Sequence, residues 1–521
     1  MRGAASNRQN ILRIISAGIY RTAKVGSSHS TSVFRSMSTT AGAKGYSRSR
    51  LWSGIKYGTL FTVATATSYI GWKIYDAKYP INQKPYDPNL KTLVILGTGW
   101  GAATVLKNVD TDKYNVVVVS PRNYFLFTPL LPSCTVGTIE NRSIMEPIRH
   151  ITRHKSRDVT VYEANCTDVN PQTNEITIQG FTDVQAERPK TVLKYDYLVM
   201  AVGAMNNTFN TPGVEKYACF LKEIWDAKKI RQKLMDCIET AAYKGQTPKE
   251  RKRLLHMVVV GGGPTGVEYA GELYDFMTDD LRYWYPELVE DVKITLVEAL
   301  PNVLPMFDKK LIEYTQNTFK ENSINILTKT MVKEVKETTI TVQDENKNLV
   351  EIPYGLIVWA TGNKARAVTE KLRSKISKDD QSSPRGLVVD DYLRVKGVKN
   401  IWALGDCSVS KYAPLAQVAE RQGKWLAKAL NGIADSDSGY EDVEKETPFQ
   451  YTSYGSLAYI GSDKAIAELP IFNRSLKSGG AATYLFWRSA YLSELFSIRS
   501  TAFVMYDWAK KTMFGRDISR E

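Results

Sequence analysis

Acidic residues are missing from the front of this chain. Positions 1–75 hold seven Arg, four Lys and no Asp or Glu, so +11 of the formal +14 lies there. The rest is close to neutral, which excludes a nucleic-acid-binding body, because that needs a basic stripe on the folded surface. Cysteine is scarce as well: Cys134, Cys166, Cys219, Cys237 and Cys407 come no closer together than 18 residues. That excludes a CxxC-type dithiol local in sequence and fits thiols buried as small apolar side chains. Of the 4 histidines, His150 and His154 have helical i, i+4 spacing, but the surrounding RHITRHK repels a metal ion. With neither a metal-ligand set nor an iron–sulfur spacing, no metal is expected. A long apolar run is lacking too. Tyr57–Trp72 has 16 uncharged residues, about 24 Å as a helix against the ~30 Å of a hydrocarbon core.

Residues 1–50, basic and rich in Ser, Thr and Ala, read as a mitochondrial transit peptide. Residues 51–75 read as a hydrophobic membrane segment whose short reach is extended by snorkelling lysines and flanking Trp and Tyr. A polar, proline-bearing linker, 76–89, leads to a body long enough for two or three domains.

That body is organised around Thr92–Ala103, TLVILGTGWGAA. Leu93–Leu96 form the short apolar run of a buried parallel strand. Gly97 permits the tight turn, Gly99 lets backbone approach a pyrophosphate, and Gly101 with Ala102 keeps the next helix close to the strand. One such glycine fingerprint is a weak signal. A second, MVVVGGGPTGVEYAGEL at Met257–Leu273, presents Gly261, Gly263 and Gly266 as GxGxxG, so the chain is expected to hold two dinucleotides. Behind the second cradle the strand Lys293–Val297 ends in Glu298, which suits the ribose hydroxyls of NADH and repels a 2′-phosphate; Thr278–Glu290 reads as an insertion before it. Behind the first, the strand Asn115–Val119 ends in Ser120, which offers a hydroxyl to a ribose, and Arg122 has the reach for a phosphate. Tyr124–Pro132, YFLFTPLLP, packs either on a flat ring system or into the core.

Tyr195–Gly203 and Gly355–Gly362 are both buried strands ending in glycine, Gly203 and Gly362. This repetition predicts that the second domain is inserted in the first, with two linkers crossing at these points. Ile401–Asp406, IWALGD, adds a strand followed by Gly405 and Asp406, a turn whose acid can accept hydrogen bonds from polyol hydroxyls.

The two cradles, ATG at Ala360–Gly362 and ALGD at Ala403–Asp406 together resemble the two-dinucleotide-binding flavoproteins. PLAQVAERQGKWLA at Pro414–Ala427 and WRSAYLSELF…GRDISR at Trp487–Arg520 narrow the resemblance to the type II (alternative) mitochondrial NADH–ubiquinone oxidoreductases, over roughly residues 90–521. The leader is similar to that of the external members. The resemblance implies an α/β fold with two Rossmann-like domains, the NAD domain inserted in the FAD domain, and a C-terminal membrane-associating helical segment. The corresponding boundaries are 90–206 and 363–446 for the FAD domain, 207–362 for the NADH domain and 447–521 for the C-terminal quinone-site segment. FAD would sit non-covalently on Gly97, Gly99 and Gly101 with its ribityl chain on Asp406; NADH would lie on Gly261, Gly263, Gly266 and Glu298. The family's AQxAxQ quinone element is matched by Ala416, Gln417 and Ala419, while Arg421 stands at the second Gln position and Gln422 is displaced by one. Glu268 matches a family carboxylate near flavin and quinone, a proton-relay candidate; a helix-face salt bridge is the alternative.

The implied reaction is two-electron transfer from NADH through FAD to ubiquinone without proton pumping, at the intermembrane-space face of the inner mitochondrial membrane, feeding cytosolic NADH electrons to the respiratory chain. In Tyr484–Phe514, Trp487, Tyr491, Leu495, Ile498, Val504 and Trp508 recur at helical spacing among basic residues, the make-up of helices lying in a lipid interface. Packing on the body or on a second copy, as a homodimer, is the alternative. Two other functions compete: a sulfide–quinone or disulfide reductase, which needs thiols at the flavin, and a non-catalytic NADH-sensing flavoprotein, for which a quinone element is superfluous.

Overall fold

The computed structural model describes residues 65, 67–69, 71–76, 78–180, 190–436, 439–471 and 474–520. The expected transit peptide and most of the expected hydrophobic segment lie outside these residues. The elements below belong to the compact unit that begins at Tyr69.

Its first half contains β1 (Thr92–Leu96), α1 (Trp100–Asn108), β2 (Asn115–Ser120), β3 (Thr160–Asn170), β4 (Tyr197–Met200), α2 (Ile224–Ala242), β5 (His256–Val260) and α3 (Pro264–Phe276). There follow β6 (Lys293–Val297), β7 (Ile324–Leu327), β8 (Leu356–Trp359), β9 (Ile401–Ala403), α4 (Ala416–Ile433), α5 (Ala481–Glu494) and α6 (Ile498–Phe514).

Valine-rich runs such as NVVVVS in β2 suit strands covered on both faces, and they pair as two largely parallel sheets. The first runs β9-β4-β1-β2-β3 and continues into two antiparallel strands, Glu175–Gly180 and Thr191–Lys194. The second runs from Cys219–Phe220 through β8, β5 and β6 to β7, all parallel. Strands β4 and β9 are neighbours in the first sheet, with Leu198 opposite Ile401, although the whole second sheet lies between them in sequence. The expected insertion is therefore the topology observed. At the crossings Ala204–Asn206 pairs antiparallel with Asn363–Ala365, so the outgoing and returning chains are stitched together.

YFLFTPLLP belongs to the core. Phe125, Phe127, Leu130 and Leu131 are buried. Phe125 packs at 5.0 Å from Phe496, and Phe127 at 6.1 Å from Tyr491. It is the seat on which the C-terminal segment rests. The expected lipid-facing stripe of that segment is corrected accordingly: Trp487, Leu495, Val504 and Trp508 are buried in the core shared with the second sheet. Burying such side chains against protein stabilises by about 1.5–3 kcal/mol each. The exposed apolar residues of α5 and α6 are a different set, Leu485, Phe503, Met505, Tyr506, Met513 and Phe514.

One buried cation locks the segment down. Arg516, 4 % exposed, reaches Asp280 at 2.7 Å, Asp279 at 3.3 Å and Glu272 at 3.8 Å. Asp279 and Asp280 come from the insertion after α3, so that insertion is the socket of the C-terminal tail. Among the described residues no helix is long and apolar enough to cross a membrane.

Candidate functional site

Both cradles lie at the C-terminal ends of central parallel strands, where a crevice opens beside the helix N-termini. Gly97 and Gly261 have φ of +108° and +117°, and a Cβ on either would strike the carbonyl of Ala201 or Ala360. The middle glycines are different. A Cβ on Gly263 would meet nothing within 4 Å, and one on Gly99 would meet only Arg122 Nη2 at 3.9 Å. These glycines are the N-caps of α1 and α3, and neither helix has a side-chain cap. Open space above uncapped N–H groups is what a pyrophosphate requires, so both cradles fit a dinucleotide. The third glycines hold the helices close: at Gly266 a Cβ would lie 1.9 Å from the Gly261 carbonyl oxygen, and at Gly101 it would strike Leu404.

Glu298 stands at the end of β6 as expected. Its carboxylate accepts from the N–H of Gly262 and, at 2.7 Å, from that of Leu300, which fixes it beside the second cradle. Ser120 is turned inward: its hydroxyl lies 3.0 Å from Thr98 Oγ1 and accepts from the Arg122 N–H at 3.1 Å. It therefore braces the turn that carries Arg122. Arg122 itself pairs with Glu223 at 2.5 Å and keeps Nη2 near Gly99. Gly203 follows β4, Gly405 and Asp406 follow β9, and Gly362 follows β8 in the second sheet, with Arg366 Nε donating to Val202 O at 2.8 Å and Lys222 Nζ 3.9 Å from Asp406.

The expected quinone residues divide. Gln417, half-buried at the start of α4, accepts from the Tyr451 hydroxyl at 3.0 Å and donates to the Gly455 carbonyl at 3.3 Å. Arg421 stacks its guanidinium 4.0 Å from the Tyr454 ring centroid. Ala416 precedes them at the helix start. Gln422 points the other way: it is 1 % exposed and accepts from the Gly405 N–H at 2.8 Å. It shapes the turn before Asp406 instead of facing Tyr451 and Tyr454.

Residues 451–459 thus close over Gln417 and Arg421, and the strand they lead into reaches Glu268, whose carboxylate accepts from the Tyr459 N–H at 3.3 Å. Glu268 is 6 % exposed and has no salt-bridge partner among the described residues. Burial raises its pKa to about 8; the Tyr459 N–H opposes this, Glu272 adds to it, and Trp487 and Tyr491 oppose it. The Trp487 indole N–H is itself buried and outside hydrogen-bond geometry with any partner among the described residues. Tyr451, Tyr454, Tyr459 and Trp487 were not singled out for this site from sequence, because their aromatic spacing matches any core hairpin or helix.

Two nucleotide cradles on an inserted pair of α/β sheets define a two-dinucleotide-binding flavoprotein, and residues 91–423 match the pyridine nucleotide-disulphide oxidoreductase family model. Residues 454–517 match the model of the NDH2 C-terminal domain. The chain is 51 % identical over 512 residues to the external alternative NADH-ubiquinone oxidoreductase of Yarrowia lipolytica, covering 90 % of this chain and 88 % of that one. It is 43 % identical to external NADH-ubiquinone oxidoreductase 2 of Saccharomyces cerevisiae, covering 88 % and 89 %. The structure of NDH2 from Plasmodium falciparum in complex with NADH superposes with a TM-score of 0.77 at 31 % identity, over 82 % of this chain and 99 % of that one. The chain belongs to the type II NADH–ubiquinone oxidoreductases, among the mitochondrial external members.

Gly266→Ala tests the second cradle. Its Cβ has no room against the Gly261 carbonyl, so α3 must move away from the strand at a cost of about 1–3 kcal/mol. Titration with NADH, followed by nucleotide fluorescence, is expected to show at least about a tenfold weaker Kd, equivalent to ~1.4 kcal/mol, while the FAD content stays at the unsubstituted level.

Proposed function

We infer that this chain oxidises NADH with a non-covalent FAD and reduces ubiquinone by two electrons, in a reaction that carries no proton across the membrane. The observation that carries this reading is the course of α3. It begins at the second cradle, capped by Gly263, and within two turns buries Glu268 against Tyr459, at the end of the segment that closes over Gln417, so one helix links the nucleotide cradle to that segment. Bound FAD supplies the hydride and electron chemistry. The protein's own residues do the rest. Gly97, Gly99, Gly101 and Asp406 orient the flavin nucleotide; Gly261, Gly263, Gly266 and Glu298 orient NADH; Gln417 offers polar contact to a quinone oxygen. Glu268, whose pKa burial raises to about 8, is placed to give up a proton at the end of the segment over Gln417.

The sulfide and disulfide alternative finds no support in the thiols. All five are free, four are buried, and no two of them are paired. The decisive experiment uses the purified full chain. NADH should bleach the ~450 nm flavin band and a short-chain ubiquinone should restore it; turnover on sulfide without NADH would favour the alternative, and bleaching without reoxidation would favour a sensor.

The protein is mitochondrial, as its relatives are named. We place it at the intermembrane-space face of the inner membrane, passing cytosolic reducing equivalents to the respiratory chain. Contact with lipid falls to the exposed residues of α5 and α6. Leu485 is 64 %, Tyr506 64 % and Phe514 77 % exposed, more apolar surface than water favours, and a quinone is dissolved in lipid. The same surface would serve a homodimer.

Replacing Glu268 by Gln should remove a pH dependence. With the acid present, quinone-dependent turnover is expected to fall as pH rises through about 8, because the proton-bearing form is lost. Glu268→Gln should be slower by about 10²–10⁴-fold and flat across that range, while anaerobic bleaching by NADH is unchanged. For the lipid contact, combined Leu485→Ser, Phe503→Ser and Phe514→Ser should abolish co-sedimentation with lipid vesicles and leave the NADH half-reaction intact. Undiminished sedimentation, with monomers replacing dimers in solution, would assign the patch to the homodimer.

A further inference from the structure

Lys222 and Glu223 bracket the first cradle from outside, and the chemistry above leaves Lys222 without a role. The pair follows the edge strand Cys219–Phe220 of the second sheet and leads into α2, yet both side chains reach the first domain. Glu223 caps α2, takes Arg122 at 2.5 Å and takes Arg366 at 3.4 Å. Lys222 takes the other side of the crevice: Nζ donates to Asn363 Oδ1 at 2.7 Å and lies 3.9 Å from Asp406 Oδ2, with its side chain only 25 % exposed. Burial lowers the pKa of the ammonium; Asp406 opposes this, Arg366 adds to it and Glu223 opposes it. Desolvating an ammonium is repaid only in part by one carboxylate at that distance. The position becomes favourable when a further negative charge arrives.

The reaction brings one. NADH becomes NAD⁺ by giving up a hydride, so the flavin gains two electrons and one proton, hence one net negative charge. Both electrons and that proton would then go to the quinone, which takes one more proton, by way of Glu268, to become the quinol. We propose that Lys222 is the fixed cation of the flavin site, stabilising the charge gained on hydride transfer and so raising the flavin's midpoint potential. This rests on the FAD reading given above. The Lys222 ammonium sits beside Asp406, the acid assigned to the ribityl chain, and a cation there favours whichever redox state is more negative. Asn363, on the returning crossing, and Asp406, after β9, hold it in place.

The test uses the full chain with FAD bound, and reads FAD per chain and the midpoint potential by dye-equilibrated reductive titration. Lys222→Gln is expected to keep its flavin but to shift the reduced-to-oxidised ratio about tenfold at a given potential, a drop of about 30 mV for two electrons. Lys222→Arg, which keeps the charge, should stay with the unsubstituted protein. Asn363→Asp, which sets a carboxylate against the same ammonium, should lower the potential with Lys222 still in place. An unchanged potential in flavin-loaded Lys222→Gln overturns the proposal. Should that variant lose its flavin or fail to fold, Asn363→Asp decides, and an unchanged potential there overturns it equally. An unsubstituted chain that stays colourless with added FAD would fail the FAD reading itself, a different result.

Discussion

A carboxylate enclosed in a dry seam must either meet a cation or give up its charge, and α3 puts three of them there. Glu268, Glu272 and Asp275 follow one another along the face turned to the C-terminal segment, all at most 6 % exposed. Glu272 accepts from Ser133 and Thr138, both at 2.6 Å, and faces Arg516. Asp275 accepts from the Tyr459 hydroxyl and, at 2.7 Å, from the Ser462 N–H; burial raises its pKa to about 7. Glu268 has a long backbone donor from Tyr459, the Trp487 and Tyr491 side chains beside it, and no cation. The same burial that fastens the tail to the body therefore leaves Glu268 without a cation and raises its pKa. Docking of the C-terminal segment and the raised pKa of Glu268 are consequences of one burial.

The crevice around the first cradle follows the opposite logic. Its charges are paired across chain segments: Arg122 with Glu223, Arg366 with Glu223, Lys222 with Asp406. Each pair joins a residue of the inserted domain, Lys222 or Glu223, to one of the first domain, so the polar network around the first cradle also registers one domain on the other. That register matters for catalysis, since hydride transfer depends on two rings held within contact.

Much of this was legible in the residues. The glycine fingerprints, the strand-to-glycine repeats at Gly203 and Gly362, and Glu298 at the end of β6 could be placed because each answers a local demand: a turn, a close approach, the end of a strand. The α/β class and the insertion followed from them. Gln417 was found through resemblance and sits against Tyr451. Gln422 was expected beside a quinone and Ser120 beside a ribose, but sequence could not show that their polar atoms are already engaged by Gly405 and Thr98. The helical stripe Trp487, Val504, Trp508 was visible as apolar; that it faces protein was not, because periodicity reports which side of a helix avoids water and is silent on what covers it.

Local chemistry, then, was determined by the sequence alone: where backbone must come close to phosphate, which strand ends in an acid, and which stretches repeat one another. The tertiary structure alone decided which charges meet. Arg516 and Glu272 lie 244 positions apart in the chain yet 3.8 Å apart in space; Lys222 and Asp406 lie 184 positions apart and 3.9 Å apart in space. Such pairings depend on how two sheets and a tail pack together, and side-chain identity carries no record of distance until the core has closed.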